Sequence, residues 1–387
     1  MNSPAAGALE GQLSQLRNQR VAKFKDPRWL DRTWRGCAAN TEFALRARAG
    51  RYLLPAKGAR NPRAMVPPSA GELDSRRFLF VTGKGGVGKT TVATAISLAF
   101  ARRGKRVLLA LTGAHEQVSG MLGCAPIGHP LVLVEPNLWA SRIDPERAME
   151  EYGALVLRVK TVAKLVFENR YTHGFFRAVP GMLDWAMLGK AWWHTTEEVH
   201  GERRYDVVVF DGPSTGHGLD MLRVPKVILD IVPPGVLRRD AASAWALFRD
   251  PSRSGIVVVT LPEDMPATEA TELATTVREE LELPIARLVV NSRSRPLFPP
   301  AERARLIADE ELSSWALATA GGDRRASGGD RAMGALAAAA RRAAREELEE
   351  RTVERLRREL SLPMTELPFL FGGAGTRAKL AALADVF

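Results

Sequence analysis

The sequence predicts an α/β protein in which a mostly parallel, twisted sheet is flanked by helices and carries a helical insertion. Short apolar stretches rich in valine, leucine and phenylalanine alternate with helix-length segments, as in a parallel sheet with crossover helices. A strand, a glycine-rich turn, a helix and a second strand follow one another between residues 77 and 111. Roughly a hundred residues then precede the next strand, far more than an ordinary crossover needs.

The first 76 residues differ from the rest in charge and pattern. Residues 1–64 hold 13 Lys or Arg against 4 Asp or Glu, whereas the remaining chain holds 42 against 40. We therefore divide the chain into a basic arm, 1–76, without sustained periodicity, and a folded domain, 77–387. The arm is expected to be poorly ordered, and Met65 is an alternative start of the working protein. Because the domain is nearly neutral, nucleic-acid binding is not expected beyond the arm.

The composition excludes several classes of protein. Hydrophobic residues make up 45% of the chain, enough for a core. No apolar run of 18 residues and no apolar secretory segment at the start are present, so we expect a cytoplasmic protein. Two cysteines, Cys37 and Cys124, are too few for a disulfide framework or a four-ligand zinc site, and no zinc is expected. Cys124 is interpreted as a small buried hydrophobe.

The first elements follow directly from the local pattern. Phe78–Thr82 is a short apolar strand, and Gly83–Gly88 is a glycine-rich turn. Lys89–Arg102 is an amphipathic helix that Gly104 ends, and Arg106–Leu111 is the second strand. This βαβ unit implies parallel strands.

Later segments complete the predicted sheet and its insertion. Further strands are predicted at Asp206–Phe210, Ile256–Leu261 and Leu288–Val290. Residues from 145 to about 200 have helical spacing and many large apolar side chains, which form either core or a groove for a hydrophobic client. Residues 321–358 are biased to Ala, Arg and Glu, and predict a flexible glycine-rich loop that leads into a long helix.

The segment Gly83–Thr91, GKGGVGKTT, predicts a binding site for a nucleoside triphosphate. Its small residues let the backbone N–H groups wrap a phosphate chain at a helix N-terminus. Lys89 can neutralise the β- and γ-phosphates, and Thr90 can ligate Mg²⁺. ATP and Mg²⁺ are the expected cofactors. The predicted contacts in this phosphate loop are Gly83, Lys84, Gly85, Gly86, Val87, Gly88, Lys89, Thr90 and Thr91.

Lys84 makes the phosphate loop resemble the deviant Walker A sequence of the SIMIBI P-loop ATPases, which include ParA, MinD and ArsA. The resemblance implies a P-loop NTPase fold. It also implies that Lys84 reaches across a dimer interface to the partner's phosphates, so that Lys84 and Lys89 both serve catalysis. Two protomers would then enclose nucleotide between them.

A second block, Asp211–Gly218, reads DGPSTGHG after a predicted strand and is similar to switch II of the ArsA family. Thr260–Leu273 and the strand ending in Asn291-Ser-Arg resemble the bacterial branch of this family. The resemblance implies that Asp211 serves catalysis by holding Mg²⁺ through a water and that switch II moves when the γ-phosphate leaves. It also implies that Asn291 contacts adenine, and that the loop containing Pro368 and Phe369 covers the base.

The segment Ala110–Val118, at the position of switch I, departs from the family. An aspartate there orients the attacking water, but here Gly113 or Thr112 stands in its place, depending on the alignment. No aspartate occurs between residues 106 and 143. Such a group contributes about 10²- to 10⁴-fold to a rate. Glu116 or His115 either takes over this role or is a solvated loop residue.

The leading interpretation is an ArsA-family ATPase in which Mg-ATP hydrolysis opens and closes a nucleotide-sandwich dimer, slowly because the switch I aspartate is missing. Two alternatives stay open. The chain is a non-catalytic ATP-binding regulatory subunit of a heterodimer, or a positioning switch like ParA or MinD. The expected partner is a second copy or an ArsA-like subunit, and the insertion is compatible with a hydrophobic client or membrane-protein partner.

Overall fold

The computed structural model describes residues 73–113, 115–157, 181–308 and 328–387. Almost all of the basic arm predicted at 1–76 lies outside these ranges, as do residues 158–180 of the predicted insertion. A short 3-10 helix, Leu73–Ser75, precedes the first strand.

An eight-stranded sheet forms the centre of the described domain. Its spatial order is β10-β9-β8-β1-β7-β2-β4-β3, and every neighbouring pair is parallel except β3 with β4. β5 and β6 form a separate antiparallel pair. The strands are β1 (Phe78–Gly83), β2 (Val107–Leu111), β3 (Val132–Glu135), β4 (Leu138–Arg142), β5 (Glu198–Val199), β6 (Glu202–Arg203), β7 (Val207–Ser214), β8 (Ser254–Thr260), β9 (Ile285–Arg293) and β10 (Met364–Pro368).

Helices cover both faces of this sheet. The α-helices of the described residues are α1 (Lys89–Arg102), α2 (His115–Leu122), α3 (Pro145–Leu157), α4 (Met182–Thr196), α5 (Thr215–Ile231), α6 (Val236–Arg249), α7 (Asp264–Glu279), α8 (Pro300–Ala308), α9 (Gly328–Leu360) and α10 (Arg377–Ala384). The fold is therefore the α/β class that the sequence predicts.

The alternation of side chains along β1 divides the interior into two apolar clusters. Phe78 and Phe80 point into one cluster, with side chains of α3 to α7 and α9. Leu79 and Val81 point into the other, with side chains of α1, α2 and α10. Successive residues of a strand face opposite sides of a sheet, so a strand buried on both faces is continuously apolar.

Several predicted boundaries were wrong. β7 runs to Ser214, so Asp211 lies inside the strand, opposite Val81 and Leu111 on the neighbouring strands, and not after it. The strand predicted at Leu288–Val290 is longer, and β9 ends with Asn291, Ser292 and Arg293, as the resemblance implied. The glycines at 328 and 329, expected in a flexible loop, lie in the first turn of the long helix α9. The β3–β4 pair and β10 were not predicted.

The described part of the insertion consists of α3 and α4. Of its large apolar residues, Trp185 and Met187 are buried in the cluster that contains Phe78, so these two side chains form core. Within the described ranges, no helix is both long and apolar enough to cross a bilayer.

Candidate nucleotide-binding site

The phosphate loop joins β1 to α1 along a path that only glycine follows easily. Gly83 has a φ of +151°, and a Cβ there would lie 2.1 Å from the carbonyl oxygen of Val259 on β8. Gly88 caps the N-terminus of α1 with a φ of 91°. The loop is therefore held between the sheet and the positive end of a helix, the arrangement that binds phosphate.

Lys89, the first residue of α1, points back into the loop. Its Nζ donates a hydrogen bond to the carbonyl oxygen of Lys84 at 3.0 Å. Burial lowers the pKa of the Lys89 ammonium group, and the nearby Asp211 carboxylate acts in the opposite direction. A half-buried cation in a loop of backbone donors fits a polyanionic ligand.

Asp211 and Thr90 meet beside this loop. The Thr90 hydroxyl donates to Asp211 Oδ2 at 2.7 Å, whereas Asp211 Oδ1 is buried without a hydrogen-bond partner among the described residues. Burial raises the pKa of Asp211 to about 6, although the Thr90 hydrogen bond and Lys89 act to lower it. A hydroxyl next to a carboxylate with one unpartnered oxygen provides suitable oxygen ligands for a hydrated divalent cation.

Switch II is fixed against β1 and the end of β2. The Thr82 hydroxyl donates to the carbonyl oxygen of Pro213 at 3.0 Å, and a Cβ at Gly218 would lie 2.7 Å from the same hydroxyl oxygen. The Thr112 hydroxyl donates to the carbonyl oxygen of Asp211 at 2.8 Å. Glycine at 218 is thus required for close contact between the first turn of α5 and β1.

The segment that resembles switch I has one carboxylate among its described side chains, that of Glu116. Thr112 uses its hydroxyl proton to bind the backbone of Asp211, and Gly113 has no side chain. Glu116, in the first turn of α2, is exposed to solvent. The side chain of His115 lies outside the described part of the chain.

Lys84, the residue expected to reach a partner, is paired within its own chain. Its Nζ bonds to Glu269 Oε1 on α7, and both side chains are partly exposed, 30% and 34%. Thr91, the last residue of the loop motif, places its hydroxyl 3.9 Å from the sulfur of Met121. Gly85 and Gly86 have open space around them.

Asn291 lies beneath the phosphate loop. Its Nδ2 donates to the carbonyl oxygen of Val87 at 2.9 Å, and its Oδ1 accepts from the backbone N–H of Ser292 at 2.9 Å. Only 9% of the residue is exposed. The structure thus shows a support for the loop that sequence reasoning, which assigned Asn291 to the base, did not anticipate.

The predicted base loop follows β10 at the same edge of the sheet. The Phe369 N–H donates to the carbonyl oxygen of Arg293 at 2.8 Å. The rings of Phe369 and Phe371 meet edge to face at 5.3 Å, and they are 42% and 84% exposed. Pro368 pairs with Arg293 at the end of the sheet. Two exposed aromatic rings therefore follow β10, beside the end of β9, the strand that contains Asn291.

An ionic network anchors this edge to α9. The Arg293 guanidinium binds Glu349 and Glu366 at 3.3 Å each, and Glu350 at 2.5 Å. Glu349, 2% exposed, also accepts hydrogen bonds from Ser294 at 2.9 Å and 2.8 Å. No local sequence signal predicts these pairs, because they join residues more than fifty positions apart.

Cys124 is partly buried against the cluster that contains α1, and burial raises the pKa of its thiol. Within the described ranges, no group of three or more His, Cys, Asp or Glu side chains is arranged to hold a metal ion.

Comparison with known proteins agrees with this geometry. A family model described as anion-transporting ATPase (ArsA) matches residues 76–233. The putative arsenical pump-driving ATPase of Halobacterium salinarum is 32% identical over 238 residues, which is 57% of this chain and 36% of that protein. The ATPase BagA of Mycobacterium tuberculosis is 26% identical over 245 residues, 62% of this chain and 71% of that protein.

The arsenical pump-driving ATPase of Escherichia coli is 29% identical over 199 residues, 47% of this chain and 33% of that protein. The chain thus spans about a third of the length of the two pump-driving relatives. The matched region contains β1, the phosphate loop, α1 and switch II. By these matches, residues 76–233 of the chain carry the sequence of the anion-transporting ATPase (ArsA) family.

Proposed function

We propose that the chain binds ATP with Mg²⁺ at the phosphate loop and hydrolyses it, and that this cycle closes and opens a dimer with nucleotide between the protomers. The observation that carries the proposal is the unpartnered Oδ1 of Asp211, buried beside the Thr90 hydroxyl at the start of α1. A buried oxygen without a partner is destabilising unless a ligand satisfies it.

The residues present fit Mg²⁺. Thr90 would ligate it through the hydroxyl oxygen, and Asp211 would hold it through a water. Bound there, the cation supplies neutralising charge to the phosphates. Ionisation of Asp211, which burial disfavours in the free protein, is favoured by a nearby positive charge.

The phosphate loop itself would bind the triphosphate. Its backbone N–H groups and the N-terminus of α1 surround the phosphates. The Lys89 ammonium group exchanges the carbonyl oxygen of Lys84, its acceptor in the free chain, for the β- and γ-phosphate oxygens. Asn291 keeps the loop in this shape through its hydrogen bond to Val87.

Lys84 would complete the site of the second protomer. An ion pair as exposed as Lys84–Glu269 contributes about 0–1 kcal/mol. A phosphate group of the partner's nucleotide can therefore displace Glu269 at little cost. Lys84 would reach these phosphates as the dimer closes.

The adenine base would lie at the edge formed by β9 and β10. Pro368 and Phe369 would cover one face of the base. Asn291, which lies in β9, would contact a polar atom at the edge of the base. Exposed aromatic rings at this position support the assignment, since they can stack on a base.

We expect turnover to be slow. The attacking water lacks the carboxylate that orients it in relatives. Thr112 cannot replace it as a proton acceptor without giving up the hydrogen bond that its hydroxyl donates to the carbonyl oxygen of Asp211. Orientation by a base contributes about 10²- to 10⁴-fold. This same feature favours a second candidate function, in which the chain is the ATP-binding regulatory half of a heterodimer and supplies Lys84 to a competent partner.

Calorimetry on the full chain tests the binding step. ATP with Mg²⁺ should give a binding isotherm, and Lys89→Ala should abolish it because the loop loses its internal cation. Lys84→Ala should retain binding and lose ATP-dependent dimer closure in sedimentation experiments. Absence of binding by the wild type, or full affinity of Lys89→Ala, would refute the proposal.

Phosphate release separates the two candidate functions. The catalytic dimer predicts slow but measurable release by the purified chain alone. The regulatory subunit predicts release only when a related ATPase from the same cell is added. Rapid turnover by the chain alone would eliminate the regulatory role and contradict the expected effect of the missing aspartate.

A further inference from the structure

A close contact between an imidazole and a carboxylate, outside the phosphate site, joins switch II to the helical insertion. His217 Nε2, in the first turn of α5, lies 3.1 Å from Asp184 Oδ1, in the first turn of α4. The His217 side chain is 54% exposed, whereas that of Asp184 is 15% exposed. The carboxylate is therefore largely removed from water and has the imidazole of switch II beside it.

A second contact holds the same two helices together. Gly181 caps the N-terminus of α4 with a φ of 79°, and a Cβ there would lie 2.9 Å from a methyl carbon of Val224 on α5. The start of α4 thus rests directly on α5 through Gly181 and through the contact of Asp184 with His217. Movement of the first turns of α5 must be accommodated by α4.

α4 is also tied to its neighbours α3 and α6. Lys190 on α4 bonds to Glu151 on α3 at 2.8 Å. The Tyr152 hydroxyl on α3 donates to Asp240 on α6 at 3.3 Å, and the Tyr152 ring meets the buried Trp185 ring edge to face at 6.3 Å. These contacts make α3, α4 and α6 a packed unit that would respond together.

The charges facing Asp184 come from α5. Burial, the largest influence, raises the pKa of Asp184; His217 acts to lower it and Asp220 to raise it. Asp220 is itself bonded to Arg223 at 3.2 Å. His217 is thus the group on α5 that favours the charged form of Asp184.

We propose that Asp184 is a positioning residue of the ATP cycle, which holds the first turn of switch II through His217 and transmits its displacement to α4. This inference rests on the proposed function. Asp184 touches no phosphate and acts only through His217. Switch II contains both Asp211 and His217. A change at the γ-phosphate that moves Asp211 therefore also moves His217, because both belong to one short segment.

Hydrogen exchange of the α4 backbone in the full chain, with and without Mg-ATP, tests this coupling. In the wild type, ATP should slow exchange in α4. Asp184→Asn, which keeps the shape and removes the charge, should bind ATP within about twofold of wild type and lose this protection. Its kcat should fall about two- to fivefold, the effect of losing one partly exposed polar contact, with KM unchanged. Asp184→Glu should restore part of both responses.

A mutant cycle and a control variant sharpen the result. His217→Asn should reproduce the effect of Asp184→Asn, and the double variant should be no worse than either single one. Since His217 is more than half exposed, this variant also serves if Asp184→Asn fails to fold. Asp230→Asn, an exposed change on the same helix, should behave as wild type.

The outcomes distinguish the two proposals. If the wild type fails to bind ATP, the proposed function and this inference both fall. If ATP binds but α4 shows no ATP-dependent protection, or shows the same protection in Asp184→Asn as in the wild type, only the coupling is overturned. Additive effects of the two single variants would likewise overturn it.

Discussion

Replacing Gly88 with alanine tests whether Asn291 supports the phosphate loop. Gly88 has a φ of 91°, and a Cβ at this position would lie 2.3 Å from Asn291 Nδ2. That amide is buried and donates to the carbonyl oxygen of Val87. The added methyl group therefore strains the backbone and pushes the amide off its acceptor.

The two effects can be assigned separate magnitudes. The left-handed backbone costs a non-glycine residue about 1–2 kcal/mol. Leaving a buried donor or acceptor unsatisfied costs about 1–3 kcal/mol. Gly88→Ala should therefore lower the free energy of unfolding by roughly 2–5 kcal/mol.

The same loop provides matched controls. Gly86 has a φ of +85° with no atom within 4 Å of an added Cβ, so Gly86→Ala carries the backbone strain alone. Gly85 also has open space and no left-handed φ, so Gly85→Ala should change stability by less than about 0.5 kcal/mol. In an Asn291→Ala background, Gly88→Ala should cost no more than Gly86→Ala does.

Equilibrium urea unfolding of the nucleotide-free chain, followed by fluorescence and circular dichroism, measures all of these values. The expected order of destabilisation is Gly88, then Gly86, then Gly85. If Gly88→Ala and Gly86→Ala cost the same, or if the cost of Gly88→Ala is undiminished in the Asn291→Ala background, the supporting role of Asn291 is refuted.

Three further predictions concern charged groups. In the nucleotide-free protein, the pKa of Asp211 is raised to about 6, above its value in the unfolded chain, so stability should fall as the pH rises from about 4 through 6. Asp211→Asn should remove this loss and raise the free energy of unfolding at pH 7.5 by about 3 kcal/mol; an unchanged dependence of stability on pH would count against this prediction. Glu349→Ala should cost about 1–3 kcal/mol in urea unfolding because it leaves the buried N–H and hydroxyl of Ser294 without their acceptor, whereas Arg351→Ala, in an exposed pair, should cost about 0.3–0.5 kcal/mol; equal costs would contradict the network. Glu269→Gln should change stability by less than about 1 kcal/mol and lower the ATP concentration at which sedimentation detects closure, because it frees Lys84; a higher required concentration would argue that Glu269 helps closure.

Local sequence signals predicted the centre of the fold well. The helix expected at Lys89–Arg102 is confirmed at both ends, because a glycine-rich turn and Gly104 mark them. β3 and β4 were missed because each has only four or five residues and they surround a Pro-Asn turn. The extension of β7 past Asp211 was also missed, since glycine and proline there are typical of a loop and not of a buried strand.

In the candidate site, likewise, the contiguous residues were predicted and the contacts between distant residues were not. The phosphate loop is contiguous, so its spacing alone reveals it. Glu269 lies 185 positions from Lys84, and Asp184 meets His217 only because the first turns of α4 and α5 lie together in the fold. Such pairs have no period or motif. The role of Asn291 beneath the loop depends on close approach to a glycine, which a pattern of residue types does not encode.

The alternation along β1 has a consequence for how this molecule can diversify. Alternate residues of the strand belong to the two different apolar clusters. A substitution in the cluster that includes α3 and α4 therefore leaves the cluster that includes α1 almost unchanged. Substitutions can therefore accumulate in the layer of α3 and α4 while the layer of α1 stays constant, because β1 separates the two.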